Sequence, residues 1–354
     1  IIVQLLTIAI PKLEEMQKDG EDGRKKIQTI SRYLTVALAL IESIAMTVGF
    51  GSRGLLAANT IPNKIVVIAA MTAGSAFLMW IGEEITEHGV GNGISIVLLI
   101  NIVSRIPDDF VTLFDQFMKG QTILNAVVAA VVIIAVVLVT VVFVIFLQDG
   151  ERRIPVQYAK KMQGRKMVGG QSTNIPLKVN TAGVIPVIFA SSLMSFPNVI
   201  ASLLGKTGGT GIGSKIMTGL SQSSWCDPSR PIYSLGLVLY IVLVVFFAYF
   251  YTSITFNPIE ISNNMKRQGG FIPGIRPGKP TTEYLSRILN YIVFIGAVGL
   301  IIVCVIPIFF NGMFGANVSF GGTSIIIIVG VVLETLKQIE SQMLVRYYKG
   351  FLND

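Results

Sequence analysis

The sequence predicts an all-α polytopic membrane protein, and three observations predict it. Of its 354 residues, 52% are hydrophobic and only 14% are charged, well short of the charged share of a soluble domain. Uninterrupted apolar runs such as 126–146 are long enough to cross about 30 Å of hydrocarbon as helices. A helix also satisfies its backbone inside one segment, so no β-barrel alternation is needed. Lys and Arg, finally, are shared unevenly among the segments joining those runs, the mark of a fixed orientation in a bilayer.

The chain opens on an apolar stretch, 1–10, closed by Pro11-Lys12. It is too short to span and lacks the basic leader of a signal peptide, so it reads as the end of a helix that starts upstream. A polar, basic segment follows to Ser31, then apolar runs at 33–50, 61–81, 94–106, 122–147, 179–204, 232–256, 288–310 and 324–344. With the opening remnant that makes nine segments. Alternation places 11–32, 82–93, 148–178, 257–287 and the tail on one side, which with Lys337 near the end of the last run carries 21 of the 28 Lys and Arg, against seven in or bordering the segments of the other side. The net charge of +8 thus sits mainly on one face, which the positive-inside bias makes cytoplasmic. The segment 82–93 adds nothing to that bias, holding Glu83, Glu84, Glu87 and the only histidine, His88, which reads as a solvated loop residue.

Two basic segments stand out. In 257–283, Gly274-Ile275-Arg276-Pro277-Gly278 sets one guanidinium between flexible hinges, and Pro277 biases Arg276 toward an extended backbone. Such an Arg suits planar contact with phosphate or carboxylate on a large partner, although a solvated turn obeying the positive-inside bias would look the same. The segment 148–178 holds Lys160, Lys161, Arg165 and Lys166, enough charge to engage a polyanion or an acidic surface, although a positive-inside loop that binds nothing would look similar. Directly after it, Gly183, Pro186 and Pro197 should make the next helix breakable. The runs at 94 and 324 both open on glycines followed by Ser95 or Ser324, from opposite sides in this topology, as in inverted repeats.

Enzyme chemistry is not visible. One histidine, two scattered cysteines and no helical His/Glu pair leave no metal site, and the serines have no evident base. Cys226 in a polar segment and Cys304 in an apolar run define no disulfide framework. Glu42 is a carboxylate well inside a predicted span. It needs either a packed, neutral state or a polar seam.

Asn257-Pro258, Asn264, Lys266 and the stretch Gly269-Gly270-Phe271-Ile272-Pro273-Gly274-Ile275-Arg276-Pro277-Gly278 resemble the signature loop of the bacterial SecY family of protein-conducting channels. Gly91-Asn92-Gly93-Ile94-Ser95, Gln171-Ser172-Thr173, Pro176-Leu177-Lys178-Val179-Asn180, Ala182-Gly183-Val184-Ile185-Pro186 and Gly321-Gly322-Thr323-Ser324 match the same family in order. The resemblance covers essentially the whole chain; Asn174-Ile175 replace the His-Leu of many relatives.

The resemblance implies a helical bundle of two inverted halves around a central pore. Here the remainder of the N-terminal half would be 1–106 and the C-terminal half 107–354, with large cytoplasmic loops 148–178 and 257–287; a first span and a plug would precede Ile1. It implies partner docking through Arg276, Lys266, Arg267, Lys160, Lys161, Arg165 and Lys166. A lateral gate would use Gln4, Asn180, Pro186, Ser192 and Phe196, with Glu42 where relatives tend to carry an amide. A pore ring would use Leu98, Ile102, Ile188 and Ile327. No cofactor and no catalytic residue is implied. The implied partners are SecE, a SecG-like small subunit, the SecA motor ATPase, the ribosome, signal sequences with nascent chains, and membrane lipid. The place of work is the bacterial plasma membrane. From the residues alone, an ion-coupled secondary transporter is the alternative, and a scaffold without a pore comes third.

Overall fold

A computed structural model describes residues 3, 6, 10–52, 60–119, 123–158, 161–163, 166–168, 172–203, 212–226, 231–314 and 322–350. Most of them are helical. Among the described residues, five helices are long and apolar enough to cross a membrane, over Glu21–Gly49, Ile61–His88, Leu124–Asp149, Pro231–Arg267 and Lys279–Asn311, with a shorter apolar helix at Ile185–Ala201. Their large apolar side chains are widely exposed, as at Leu124, Val131, Val139 and Phe146. That is the surface a bilayer covers.

The chain divides into two compact units. The first comprises 1–108, 191–237 and 331–354, and the second 109–190 and 238–330. In the first unit, α1 (Pro11–Lys18) turns at Gly20, φ +79°, into α2 (Glu21–Ser52). Helix α2 packs along α3 (Ile61–His88). Small polar residues line that contact: Ser43 and Thr47 are buried, and the Thr72 hydroxyl lies 3.3 Å from that of Ser43. At the polar end Arg32 pairs with Glu83 at 2.6 Å, and His88 lies 3.2 Å from Glu84. The stretch 82–88 is therefore the last two turns of α3 and not the loop its hydrophilicity suggested. A helix that leaves the membrane with charged pairs has the hydropathy of a loop.

Helix α4 (Gly93–Val103) follows a turn whose sequence is dictated by contact. Gly91 has φ +89°, Asn92 Oδ1 accepts from the Ile94 and Ser95 N–H groups, and the Gly93 N–H donates to Thr86 Oγ1 at 2.9 Å. A Cβ on Gly93 would collide with the Gly82 carbonyl. At 11 residues α4 is about 16 Å long, short of the bilayer core, so the run at 94–106 does not span by itself. It stops at the Ser104-Arg105 turn, before α5 (Ile106–Phe117).

In the second unit α6 (Ile123–Asp149) leads through Gly150 into a hairpin. Strand β1 (Glu151–Tyr158) runs antiparallel to β4 (Ser172–Lys178), from Glu151 opposite Lys178 to Gln157 opposite Ser172. Between them β2 (Lys161–Gln163) pairs with β3 (Lys166–Val168). The predicted all-helical chain thus carries strands where 148–178 was read as a loop. The local cause is alternation: Ile154 and Val156 turn inward from β1 and Leu177 from β4, with charged neighbours outward.

A turn over 179–184 with Gly183 at φ +60° separates the hairpin from α7 (Ile185–Leu203). Pro186 therefore sits in the first turn of α7, where no intrahelical N–H is required, and does not kink a longer helix. Pro197 lies inside α7, which continues beyond it. The chain goes on through α8 (Ile212–Leu220), α9 (Leu235–Thr255), α10 (Pro258–Arg267), β5 (Gly270–Phe271), α11 (Lys279–Phe314) and α12 (Gly322–Gly350).

Candidate functional site

The Arg276 segment is a mount built on both sides of its charge. Upstream, Asn257 caps α10 by accepting from the Ile259 and Glu260 N–H groups, and Lys266 and Arg267 close its last turn, favourably placed for the helix dipole. Strand β5 then pairs with β1, Gln157 opposite Phe271 and Tyr158 opposite Gly270. The sheet order is β4-β1-β5. Its inner face packs Ile154, Val156 and Leu177 on Met265 and Ile272 and on Leu285, Ile288 and Ile292 of α11. The two basic segments are therefore one structural piece.

Arg276 emerges from this piece exposed and outside regular structure. Gly274 and Gly278 flank it at φ +83° and +104°, backbone states that a Cβ would strain. Lys266 and Arg267 are exposed beside it in sequence. Lys161 and Lys166 lie on β2 and β3, whereas Lys160 and Arg165 fall outside the described residues.

Of the residues expected at a lateral gate, Gln4 falls outside the described residues. Glu42 is exposed on α2, so it is not a packed acid; Ser192 and Phe196, four apart on one face of α7, are exposed as well. Pro186 is buried. Asn180, in the turn ahead of α7, is 5% exposed, and its Nδ2 has no hydrogen-bond partner among the described residues. Leaving such a donor unmade costs about 1–3 kcal/mol. Asn180→Leu is therefore expected to raise the thermal midpoint of the purified protein, and a lowered midpoint would show that the amide is satisfied after all.

The aliphatic residues proposed for a constriction are none of them fully buried. Leu98 is 45% exposed and Ile102 half-buried, four apart on α4 in the first unit. Ile188 on α7 and Ile327 on α12, in the second unit, are both half-buried.

Sequence reasoning missed two close contacts of α11. A Cβ on Gly296 of α11 would press into the Val179 carbonyl, and one on Gly299 would come within 2.6 Å of Leu147. Val179 is held from its other side too, its N–H donating to the Gly150 carbonyl at 2.8 Å. Two glycines three apart in an apolar helix were the signal that could have been read. Among the described residues no group of three or more His, Cys, Asp or Glu could hold a metal. Partial burial pushes the Cys226 thiol up from its ordinary value, which makes it a poor nucleophile.

The SecY family model matches residues 1–336 of the chain. The chain is 44% identical to the protein translocase subunit SecY of Mycobacterium leprae (strain TN) and 46% identical to that of Streptomyces galbus. Each match covers 99% of the chain and 80% of the relative. In fold it is similar to a solved protein-conducting channel, with a TM-score of 0.62 at 20% identity, over 97% of the chain and 78% of that protein. It is similar also to Sec61 in a canine ribosome–channel complex from the endoplasmic reticulum, with a TM-score of 0.61 at 18% identity and coverage of 97% and 78%. Matched along nearly its whole length in sequence and in fold, this multi-pass membrane chain belongs to the SecY family of protein-conducting translocation channels.

Proposed function

We propose that the chain is the central channel subunit that passes unfolded secretory proteins across the bacterial plasma membrane and releases membrane proteins sideways into lipid. It performs no chemistry of its own. A motor ATPase of the SecA kind or a translating ribosome supplies the work, a SecE subunit clamps the channel, and a SecG-like small subunit accompanies it. The observation that carries this reading is the path from docking surface to gate helix. Strand β4 ends at Lys178, and only the turn 179–184 separates it from α7. A partner that binds the sheet-mounted basic segments thereby acts on the start of α7. It shifts a closed–open equilibrium by as much as it binds one state better than the other. The ion-coupled transporter has no support, since the relatives are translocase subunits.

The roles follow from residue chemistry. Arg276, Lys266, Arg267 and the hairpin cations engage acidic or phosphate surfaces, Arg276 through planar contacts that Lys cannot copy. Gln4, Glu42, Asn180, Pro186, Ser192 and Phe196 belong to the gate, where weak polar contacts suit a seam that must open. The Asn180→Leu change should accordingly slow opening, harming signal sequences of low hydrophobicity first. Leu98, Ile102, Ile188 and Ile327 form a ring that blocks ions by dewetting and yields to passing side chains because it makes no specific hydrogen bonds. Ile327→Asn is then expected to wet the ring, raise ion conductance in planar bilayers and relax the demand on signal sequences. Unchanged conductance and unchanged stringency would remove Ile327 from the pore. The reading as a whole is tested by reconstituting the chain with SecE and SecA in proteoliposomes. ATP-dependent transfer of a secretory precursor is expected, and its absence from a correctly assembled complex would sink the proposal.

A further inference from the structure

Two buried hydroxyls lie directly beneath the Arg276 segment. Thr281 is fully buried at the start of α11, and its Oγ1 donates to the carbonyl oxygen of Arg276 at 2.9 Å. Ser262, 1% exposed on α10, donates through Oγ to the carbonyl oxygen of Gly278 at 3.0 Å. The Gly278 carbonyl also accepts from the Thr281 N–H at 3.0 Å and the Thr282 N–H at 3.2 Å. On the near side the Ile275 N–H donates to the Ile272 carbonyl at 3.0 Å, while Ile272 is in the apolar core and Ile275 packs against it. Arg276 is thus tied by its own carbonyl and by its neighbours on both sides, while its side chain stays exposed.

We propose that Thr281 and Ser262 are positioning residues for Arg276, fixing the backbone so that the guanidinium meets its partner in one pre-set direction. The inference rests on the docking role given to Arg276 above. A five-residue segment with glycines at φ +83° and +104° has more backbone freedom than most, and an Arg on a free segment would lose that freedom on binding. The hydroxyls remove the freedom beforehand. They do so without competing for the charged side chain, because each is spent on a carbonyl. Neither side chain can reach the partner, since both are buried, so any effect on docking must pass through Arg276.

The test uses the reconstituted complex and reads the motor concentration that half-saturates ATP-dependent precursor transfer, together with the maximal rate. Thr281→Val keeps the shape and deletes the donor. It is expected to raise the half-saturating concentration about threefold to tenfold, the range that one net hydrogen bond is worth, with the maximal rate little changed. Thr281→Ser restores the donor and should restore the wild-type value. Ser262→Ala should act in the same direction as Thr281→Val. In an Arg276→Ala background Thr281→Val should add nothing, because coupled residues are not additive. Should Arg276→Ala weaken docking while Thr281→Val leaves it unchanged or weakens it additively in both backgrounds, the positioning role is overturned and the docking role stands. Should Arg276→Ala itself leave docking unchanged, both are overturned. A maximal rate that falls in proportion to recoverable folded protein, with half-saturation unmoved, also counts against positioning.

Discussion

Replacing Arg276 by Glu is expected to abolish partner-driven transport while the protein remains folded and inserted. The side chain is exposed and carries no ion pair within the described residues, so its loss removes nothing that holds the fold, and exposed charges contribute little to stability in any case. The mount beneath it is built from backbone carbonyls, buried hydroxyls and the apolar core around Met265, Ile272 and Leu285, none of which depends on the guanidinium. What changes is the sign of a charge at a contact that matches carboxylate or phosphate, turning attraction into repulsion. Juxtaposed like charges cost several kcal/mol across an interface, so a loss of more than a hundredfold in transfer rate is expected in the reconstituted system, with unaltered thermal stability. Transport at the wild-type rate would end the docking role. Raising the salt should weaken docking of the unmodified protein, since exposed charge pairs are screened.

Much of this was legible in the sequence, and the rest failed for identifiable reasons. Hydropathy located the long apolar helices because a bilayer demands continuous apolar segments. The special character of Gly274 to Gly278 was readable because Gly and Pro leave local signatures. The sheet was not read, although Ile154, Val156, Ile175 and Leu177 have the alternation of strands. Its third member pairs Tyr158 with Gly270, across more than a hundred residues, and composition does not report such a pairing. The Gly270 position explains itself only then: a Cβ there would come within 2.9 Å of both the Tyr158 ring and Met265. Pro186 was misread as a kink because a proline's effect depends on where its helix begins. That start is set by the turn at Gly183, whose positive φ a sequence does not display. The charged end of α3 failed for the converse reason, that a polar helix and a loop share one hydropathy.

The contact at Gly296 gives the largest structural prediction. Helix α11 approaches the chain between the hairpin and α7 so closely that the Val179 carbonyl occupies the place of a Cβ. The obstructing atom belongs to the backbone, and Val179 is tied by its N–H to the Gly150 carbonyl, so it cannot swing aside as a side-chain tip would. Asn180, whose Nδ2 has no hydrogen-bond partner among the described residues, is the next residue. Gly296→Val must therefore push α11 away, break the Val179–Gly150 hydrogen bond, or do both. Overpacking of this kind costs about 1–3 kcal/mol, and a lost backbone hydrogen bond adds roughly 1 kcal/mol. The expected result is a marked fall in thermal midpoint together with altered discrimination between weak and strong signal sequences, because the displaced segment leads into α7. Gly299→Ala serves as the comparison. Its Cβ would meet only the flexible end of Leu147 at 2.6 Å, so a smaller loss of stability is expected there, with signal discrimination preserved. Equal effects at the two positions, or a Gly296→Val protein that melts and transports like the unmodified one, would show that α11 does not set the position of the segment joining the hairpin to α7.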